Sequence, residues 1–283
     1  MRNRGVELSL TGNILRKKDW NISANLNLSY NQNKMLKVEH SPTSITSNFI
    51  TSPRNYFIEG TSYNTLWAYR LSRVQNGYPV ILDANGNEMI TFNEDGSVNK
   101  VNTATMYGTD ALVNMGSVTP KFNGSLSLNF RWKDLELNTM FVFAGGHKLR
   151  MEALDMNSYT LTTELINSRW SENAKEGVRV FSDIPNELQT YASTLAGWWR
   201  YADVHVKRAD YLKMRNINLA YHLPEAVCKK LHVGDTRLTF QVNNLFYVCA
   251  AGNGIDPESY GFNTGSRNLS QPKTFSIGLS TSF

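Results

Sequence analysis

The chain has only two cysteines in 283 residues. Cys228 and Cys249 are too few for a disulfide framework and lack the close spacing of a metal site. No run of about 18 apolar residues occurs, which excludes a membrane-spanning helix but not a spanning barrel, whose strands alternate their side chains and look only mildly hydrophobic. Charge is sparse: 19% of residues are Asp, Glu, Lys or Arg, and the formal +5 comes from dispersed cations with short clusters at Arg16-Lys17-Lys18 and Lys229-Lys230. No basic stripe with interleaved aromatics exists, so nucleic acid is not an expected partner. His40, His147, His205, His222 and His232 form no close metal-ligand pair, and neither a metal nor another cofactor is expected. No catalytic constellation stands out, and the chain does not read as an enzyme.

What the sequence has in abundance is alternation. Trp20, Ile22, Ala24, Leu26, Leu28 and Tyr30 fall on one parity and Asn21, Ser23, Asn25, Asn27 and Ser29 on the other, a period of two that means strand. Phe122, Gly124, Leu126, Leu128, Phe130 and Trp132 repeat the pattern opposite Asn123, Ser125, Ser127, Asn129 and Arg131. Leu135 to Phe143, Leu238 to Val242 and Phe275 to Phe283 do so again, and Val6 to Ile14 more weakly. In 203–223 the parity changes between Met214 and Ile217, so a β-bulge is expected near Arg215-Asn216.

Short turns at Arg16–Asp19 and Lys133-Asp134 alternate with long segments such as 34–53, 147–203 and 249–271. That asymmetry is expected of outer-membrane barrels. Trp20, Trp132, Tyr221 and Phe283 sit at strand ends beside the short turns or the terminus and are expected to form one aromatic girdle, with Tyr30, Phe122, Phe143 and Phe275 as the other. Ten residues at about 3.4 Å each, tilted by about 40°, rise roughly 26 Å, close to an apolar band of about 25 Å. On this scheme Asn123, Asn129, Arg131, Gln241 and Asn243 face the lumen. Cys228 and Cys249 fall at opposite ends of one strand and are not expected to pair.

Residues 223–231 read as a short helix in an enlarged short-side turn, with Pro224 at its first position. Within 54–110, Leu66 to Leu71 reads as a strand and 78–92 as a hairpin turning at Asn85-Gly86, a type I′ signal. Parity allows either zero or two membrane crossings in this stretch. Asp83 to Glu88 superficially suggests a calcium loop but lacks EF-hand spacing, and a turn explains it.

For ligand contact the richest group is Trp198-Trp199-Arg200-Tyr201, with Trp170 and Tyr191 upstream. Indoles stack on sugar rings and Arg holds carboxylates or phosphates. The alternative is that these aromatics pack the loop's own core. Asp256 and Arg267, in the last long segment, are further candidates for the barrel mouth.

Several segments resemble the C-terminal half of SusC/RagA-type TonB-linked outer-membrane transporters. The likeness is carried by Ala209-Asp210-Tyr211-Leu212-Lys213-Met214-Arg215-Asn216-Ile217-Asn218-Leu219-Ala220-Tyr221-His222-Leu223-Pro224, by Gln241-Val242-Asn243-Asn244-Leu245-Phe246, by Gly254-Ile255-Asp256-Pro257-Glu258, and by the stretch from Gln271 to Leu279 that leads to a terminal Phe283. The resemblance implies an all-β, antiparallel transmembrane barrel of about 22 strands, of which residues 1–283 would be the C-terminal portion. It implies TonB-dependent uptake of glycans or peptides with a SusD-like surface lipoprotein, energy from the TonB complex, and recognition of Phe283 by the barrel assembly machinery. Plug, TonB box and signal peptide are not found in the sequence, and truncation is the expected reason. Two other readings stay open: a self-contained small outer-membrane barrel with an adhesive or structural role, and a soluble carbohydrate-binding β-sandwich.

Overall fold

A computed structural model describes residues 1–38, 44–53, 55–154, 167, 169, 177–261, 263, 265–266 and 268–282. Seven long strands form one antiparallel sheet in simple sequential order: β1 (Arg2–Arg16), β2 (Trp20–Lys34), β3 (Phe122–Trp132), β4 (Leu135–Gly145), β5 (Tyr211–His222), β6 (Thr236–Cys249) and β7 (Thr274–Thr281). The meander follows from the alternation read above, because each short turn returns the chain beside the strand it left. β2 pairs directly with β3, so the described residues of 35–121 contribute no strand to this sheet, in agreement with the lower of the two counts that parity allows.

The register carries every apolar parity onto one face. A row across the sheet at the short-turn end runs Trp20, Trp132, Leu135, Tyr221, Leu238 and Leu279, and a row ten residues up β2 begins with Tyr30 and Phe122. Trp20 and Trp132 stack with ring centroids 5.6 Å apart. Among the described residues no second sheet covers this face; Val6, Phe275, Ile277 and Leu279 are at least 64% exposed. Each such side chain would gain about 1.5–3 kcal/mol on leaving water. A contiguous apolar surface of this extent does not persist on a soluble monomer.

The expected bulge is present. Register shifts on both sides of β5: against β4, Arg215 is the extra residue between Met214 and Asn216, and against β6 it faces two residues, Asn244 and Leu245, of which Asn244 adopts a left-handed conformation (φ 53°). The shift keeps Met214 and Ile217 on the apolar face while Arg215 and Asn216 both reach polar partners. Between β5 and β6, α3 (Glu225–Leu231) forms the enlarged turn. Pro224 is its N-cap rather than its first helical residue, and His232 ends it in the left-handed region. Cys228 lies in this helix and Cys249 at the far end of β6, and both are free.

The buried core lies outside the sheet, in the long segments. From 35–121 come α1 (Thr46–Thr51) and the short pairs Thr65–Tyr69 with Leu112–Ser117, Leu71–Gln75 with Tyr78–Ile81, and Ile90–Phe92 with Val98–Val101. From 146–210 come the pair Lys148–Arg150 with Val206–Arg208 and α2 (Ala192–Arg200, α-helical). Phe49, Ile50, Trp67, Tyr69, Val80, Ile81, Ile90, Leu154, Leu195 and Trp198 pack together as their shared core. The type I′ geometry falls at Asn76-Gly77 (φ 50° and 81°), not at Asn85-Gly86. At the latter only the glycine has positive φ, and Asp83 Oδ1 shapes the turn by accepting the Asn85 and Asn87 amides at 2.8 Å.

Candidate solute passage and its loop crown

The face opposite the apolar one is amide- and hydroxyl-rich. Asn129 pairs laterally with Ser23 and Asn138, and the same row continues through Asn218 and Gln241 to Ser276. The next row carries Asn25, Ser127, Met140, Asn216, Asn243 and Thr274, polar except for Met140. Asn123, Asn129, Arg131, Gln241 and Asn243 therefore share this face. Neighbouring amides bond each other: Asn216 Nδ2 to Asn243 Oδ1 at 2.7 Å and Gln241 Nε2 to the same oxygen at 3.0 Å. Arg131 stands 3.8 Å from Glu136 near the short-turn end. A cavity of about 620 Å³ lies against the long-loop half of this face, with Glu7, Asn27, Asn123, Tyr211, Arg215 and Glu258 in its wall.

At that end, a charged cluster pins the 250–273 segment to the sheet. Lys213, 1% exposed, donates to Asp256 Oδ2 at 3.1 Å and Glu258 Oε2 at 2.9 Å. Arg215 Nη2 reaches Glu258 Oε1 at 2.5 Å, and the Tyr211 hydroxyl donates to the same carboxylate at 3.3 Å. Burial alone would raise the Glu258 carboxyl, but hydrogen bonds and charge from Lys213 and Arg215 outweigh it and hold it below its ordinary value.

Above the sheet, one arginine knits three long segments. Arg150 is fully buried and donates to the carbonyls of Trp67 (2.7 Å), Asn263 (2.9 Å) and Ala202 (3.5 Å), with its guanidinium 5.0 Å from the Tyr201 ring centre. Burial pushes it down to about 10. Tyr69 N–H donates to Tyr201 O and Asn263 Nδ2 to Ile50 O, closing the same junction. His205 lies beside it, its ring edge-on to Trp199 at 4.3 Å. Burial, with the charges of Arg150 and Lys207 adding to it, lowers this imidazole to about 4.

The ligand-contact candidates are dispersed by this packing. Trp198 is 5% exposed in the loop core, so it serves packing, as an indole on the inner side of a short amphipathic helix must. Trp199 and Tyr201 pack at the margin of that core, and Arg200 is exposed with its guanidinium 5.6 Å from the Tyr201 ring centre. Asp256 is 2% exposed and engaged by Lys213 rather than open at a mouth. Of the girdle residues, Trp20, Trp132 and Tyr221 occupy one apolar row. Phe283, Arg267 and Trp170 lie outside the described residues. Arg150 and Lys213 were not singled out by sequence reasoning; the only signal for Lys213 was a cation at an inward parity position within the motif stretch.

No family profile matches the chain. TonB-dependent receptor P3 of Formosa agariphila is 23% identical over 308 residues, spanning all of this chain and 29% of the relative. The structure of the RagAB peptide importer in its closed-closed state matches 99% of this chain and 29% of that chain with a TM-score of 0.68 and 24% identity. A second RagAB peptide transporter structure gives 0.66 at 23% identity. The chain thus spans under a third of the length of the relatives it matches. With its seven-stranded antiparallel sheet, apolar on one face and rich in amides and hydroxyls on the other, the chain resembles part of the barrel of a SusC/RagA-type TonB-dependent outer-membrane transporter.

Proposed function

We propose that the protein is an outer-membrane component of TonB-dependent nutrient uptake, with residues 1–283 forming the C-terminal portion of the barrel. The observation that carries this reading is the sheet itself. Its one face is exposed and apolar, with Trp20, Trp132 and Tyr221 in one row and Tyr30 and Phe122 ten residues farther along β2 and β3. Phe143 and Phe275 fall outside that second row. Its other face carries mainly amides, hydroxyls and charges, interrupted by Met140 and Val142. In hydrocarbon the outer edges of β1 and β7 must find partners, because no water is there to satisfy them. Further strands of the same barrel would supply those partners. Glycans or peptides are the cargo classes; the RagAB relatives are peptide importers, and identity below 25% leaves the cargo of this chain to its own site chemistry. A SusD-like surface lipoprotein would sit over the loop crown, the TonB complex would act through a plug-bearing segment, and Phe283 would address the chain to the barrel assembly machinery.

The test is depth-dependent quenching of Trp20 and Trp132 by brominated lipids after expression in a Gram-negative host. Quenching strongest for bromines near the interface is expected. A chain recovered in the aqueous phase with both indoles unquenched would overturn the membrane reading. Deletion of the gene should also abolish growth on the transported solute, as should loss of TonB. The β-sandwich reading has no support in the sheet, since among the described residues no second large sheet occurs and Leu238, Phe275, Ile277 and Leu279 on its apolar face are exposed.

A further inference from the structure

The short-turn end of the sheet gathers cations that no carboxylate of the fold takes up. β1 runs out through Arg16-Lys17-Lys18-Asp19, and β3 turns into β4 through Lys133-Asp134. Because β2 pairs with β3, with Trp20 opposite Trp132, these two turns stand side by side. Backbone hydrogen bonds fix them: Lys17 and Trp20 exchange bonds of 2.8 and 3.3 Å, and the Lys133 amide donates to the Asp19 carbonyl at 2.9 Å. A cavity of about 510 Å³ lies against them, its wall carrying five cations, Arg16, Lys17, Lys18, Arg131 and Lys133, and two carboxylates, Asp19 and Asp134.

At the long-loop end of the same sheet, Lys213 and Arg215 are matched by Asp256 and Glu258. At the short-turn end the balance is different. Among the described residues Arg16, Lys17, Lys18 and Lys133 make no ion pair, and Arg131 comes no nearer to Glu136 than 3.8 Å. Like charges within about 10 Å of one another are not screened apart at 0.1 M salt, so an anion from outside the fold would relieve the cluster. Beside the cations stand the stacked indoles of Trp20 and Trp132, 39% and 42% exposed on the apolar face, with the Lys133 ammonium 5.7 Å from the Trp132 ring centre. Half-exposed indoles with cations just beyond them, at the end of an apolar surface, match the border between acyl chains and headgroups.

We infer that these two turns bind the headgroup of an anionic glycerophospholipid in the leaflet on the short-turn side. Its phosphodiester accepts charge-assisted hydrogen bonds from the lysine ammonium groups, while its acyl chains lie along the Trp20–Trp132 stack. A zwitterionic phosphatidylethanolamine would bring its own ammonium among five cations, whereas phosphatidylglycerol brings none. The inference rests on the membrane reading of the sheet and adds to it a lipid class and a place.

The full chain would be reconstituted in vesicles of phosphatidylethanolamine and phosphatidylglycerol, with one or the other lipid brominated in its acyl chains, and the relative affinity read from tryptophan quenching. The share of quenching that disappears in Trp20→Phe with Trp132→Phe belongs to these two indoles and separates them from the other tryptophans. Phosphatidylglycerol should be favoured there by about fivefold, the weight of one cation at an anionic surface. Lys17→Gln, Lys18→Gln and Lys133→Asn together should remove the preference while quenching by brominated phosphatidylethanolamine and the urea midpoint persist; Asn suits the left-handed backbone at position 133 (φ 52°). Equal quenching by the two lipids, or a preference untouched by the triple substitution, would overturn the inference and leave the membrane reading standing. Indoles quenched by neither lipid would remove both.

Discussion

The Phe143 ring lies across its direct partner Gly124 on the neighbouring strand, and two residues along the same strand pair Phe122 lies across its direct partner Gly145. A Cβ at position 124 would stand 2.6 Å from the Phe143 ring and also inside contact distance of the Asn27 carbonyl oxygen. The two glycines are thus places where an aromatic side chain takes the surface that a neighbour gives up. Gly124→Val should lower the stability of the inserted sheet by about 1–3 kcal/mol, since the Asn27 carbonyl oxygen, fixed in the β2–β3 ladder, cannot give way as the tip of the ring can. Urea unfolding in vesicles is the measurement, and an unchanged midpoint would show that the ring does not occupy that space.

Arg150 answers for three carbonyls in three different segments. Arg150→Met keeps the aliphatic volume and leaves the Trp67 and Asn263 carbonyls without their donor, at about 1–3 kcal/mol for each buried acceptor left unpaired. The expected result is faster proteolysis within 146–210 and 250–273 while the far-ultraviolet strand signal persists. Equal protection in the variant and the parent would mean that the loop core of Phe49, Trp67 and Leu195 holds the crown without it.

The sheet was legible in the sequence because its period of two is written by lipid on one side and water on the other. The seven strands of the sheet, in whole or in part, and the Arg215 bulge follow from parity, and the α3 turn from Pro224 at its start. The crown was not. Two of its short strands, Thr65–Tyr69 and Tyr78–Ile81, are wholly buried, and the others are only three to six residues long, so little alternation is there to read. Trp198 looked like a ligand platform because sequence does not distinguish a tryptophan turned into a loop core from one turned out. Asn85-Gly86 and Asn76-Gly77 are the same dipeptide, yet Asp83 captures the later turn with its side chain and forces a different geometry there, while only the earlier one takes positive φ at both residues. Arg150 gave no signal, since its partners are carbonyls, which every residue has.

His205 makes the crown sensitive to acid. Its imidazole stands at about 4 in the fold and at about 6.5 in an unfolded chain, so above pH 6.5 neither state is charged and nothing is lost. As pH falls from 6.5 towards 4 the unfolded form binds a proton that the folded form refuses, and stability drops by up to about 3 kcal/mol before levelling off. His205→Gln should flatten this dependence between pH 7.5 and 4.5. Urea midpoints of the two proteins across that range decide it, and parallel slopes would assign the acid effect elsewhere.

Lys213 and Asp256 are each only 2% exposed at their side chains, 3.1 Å apart, and tie the 250–273 segment to β5 over the inner-face cavity. Removing one partner strands the other charge in a place with little water, so Lys213→Met should cost about 3–5 kcal/mol. Much of that loss belongs to the abandoned carboxylate, which predicts recovery in the double variant Lys213→Met with Asp256→Leu. Glu258 keeps Arg215 in that variant, so the segment retains a second tether. Two outcomes separate the possibilities. Recovery of the urea midpoint together with faster hydrogen exchange at Ser259 would show an ion pair that fixes the position of the segment more than it stabilises the chain. A double variant no more stable than Lys213→Met would show instead that the segment is held by contacts other than this pair.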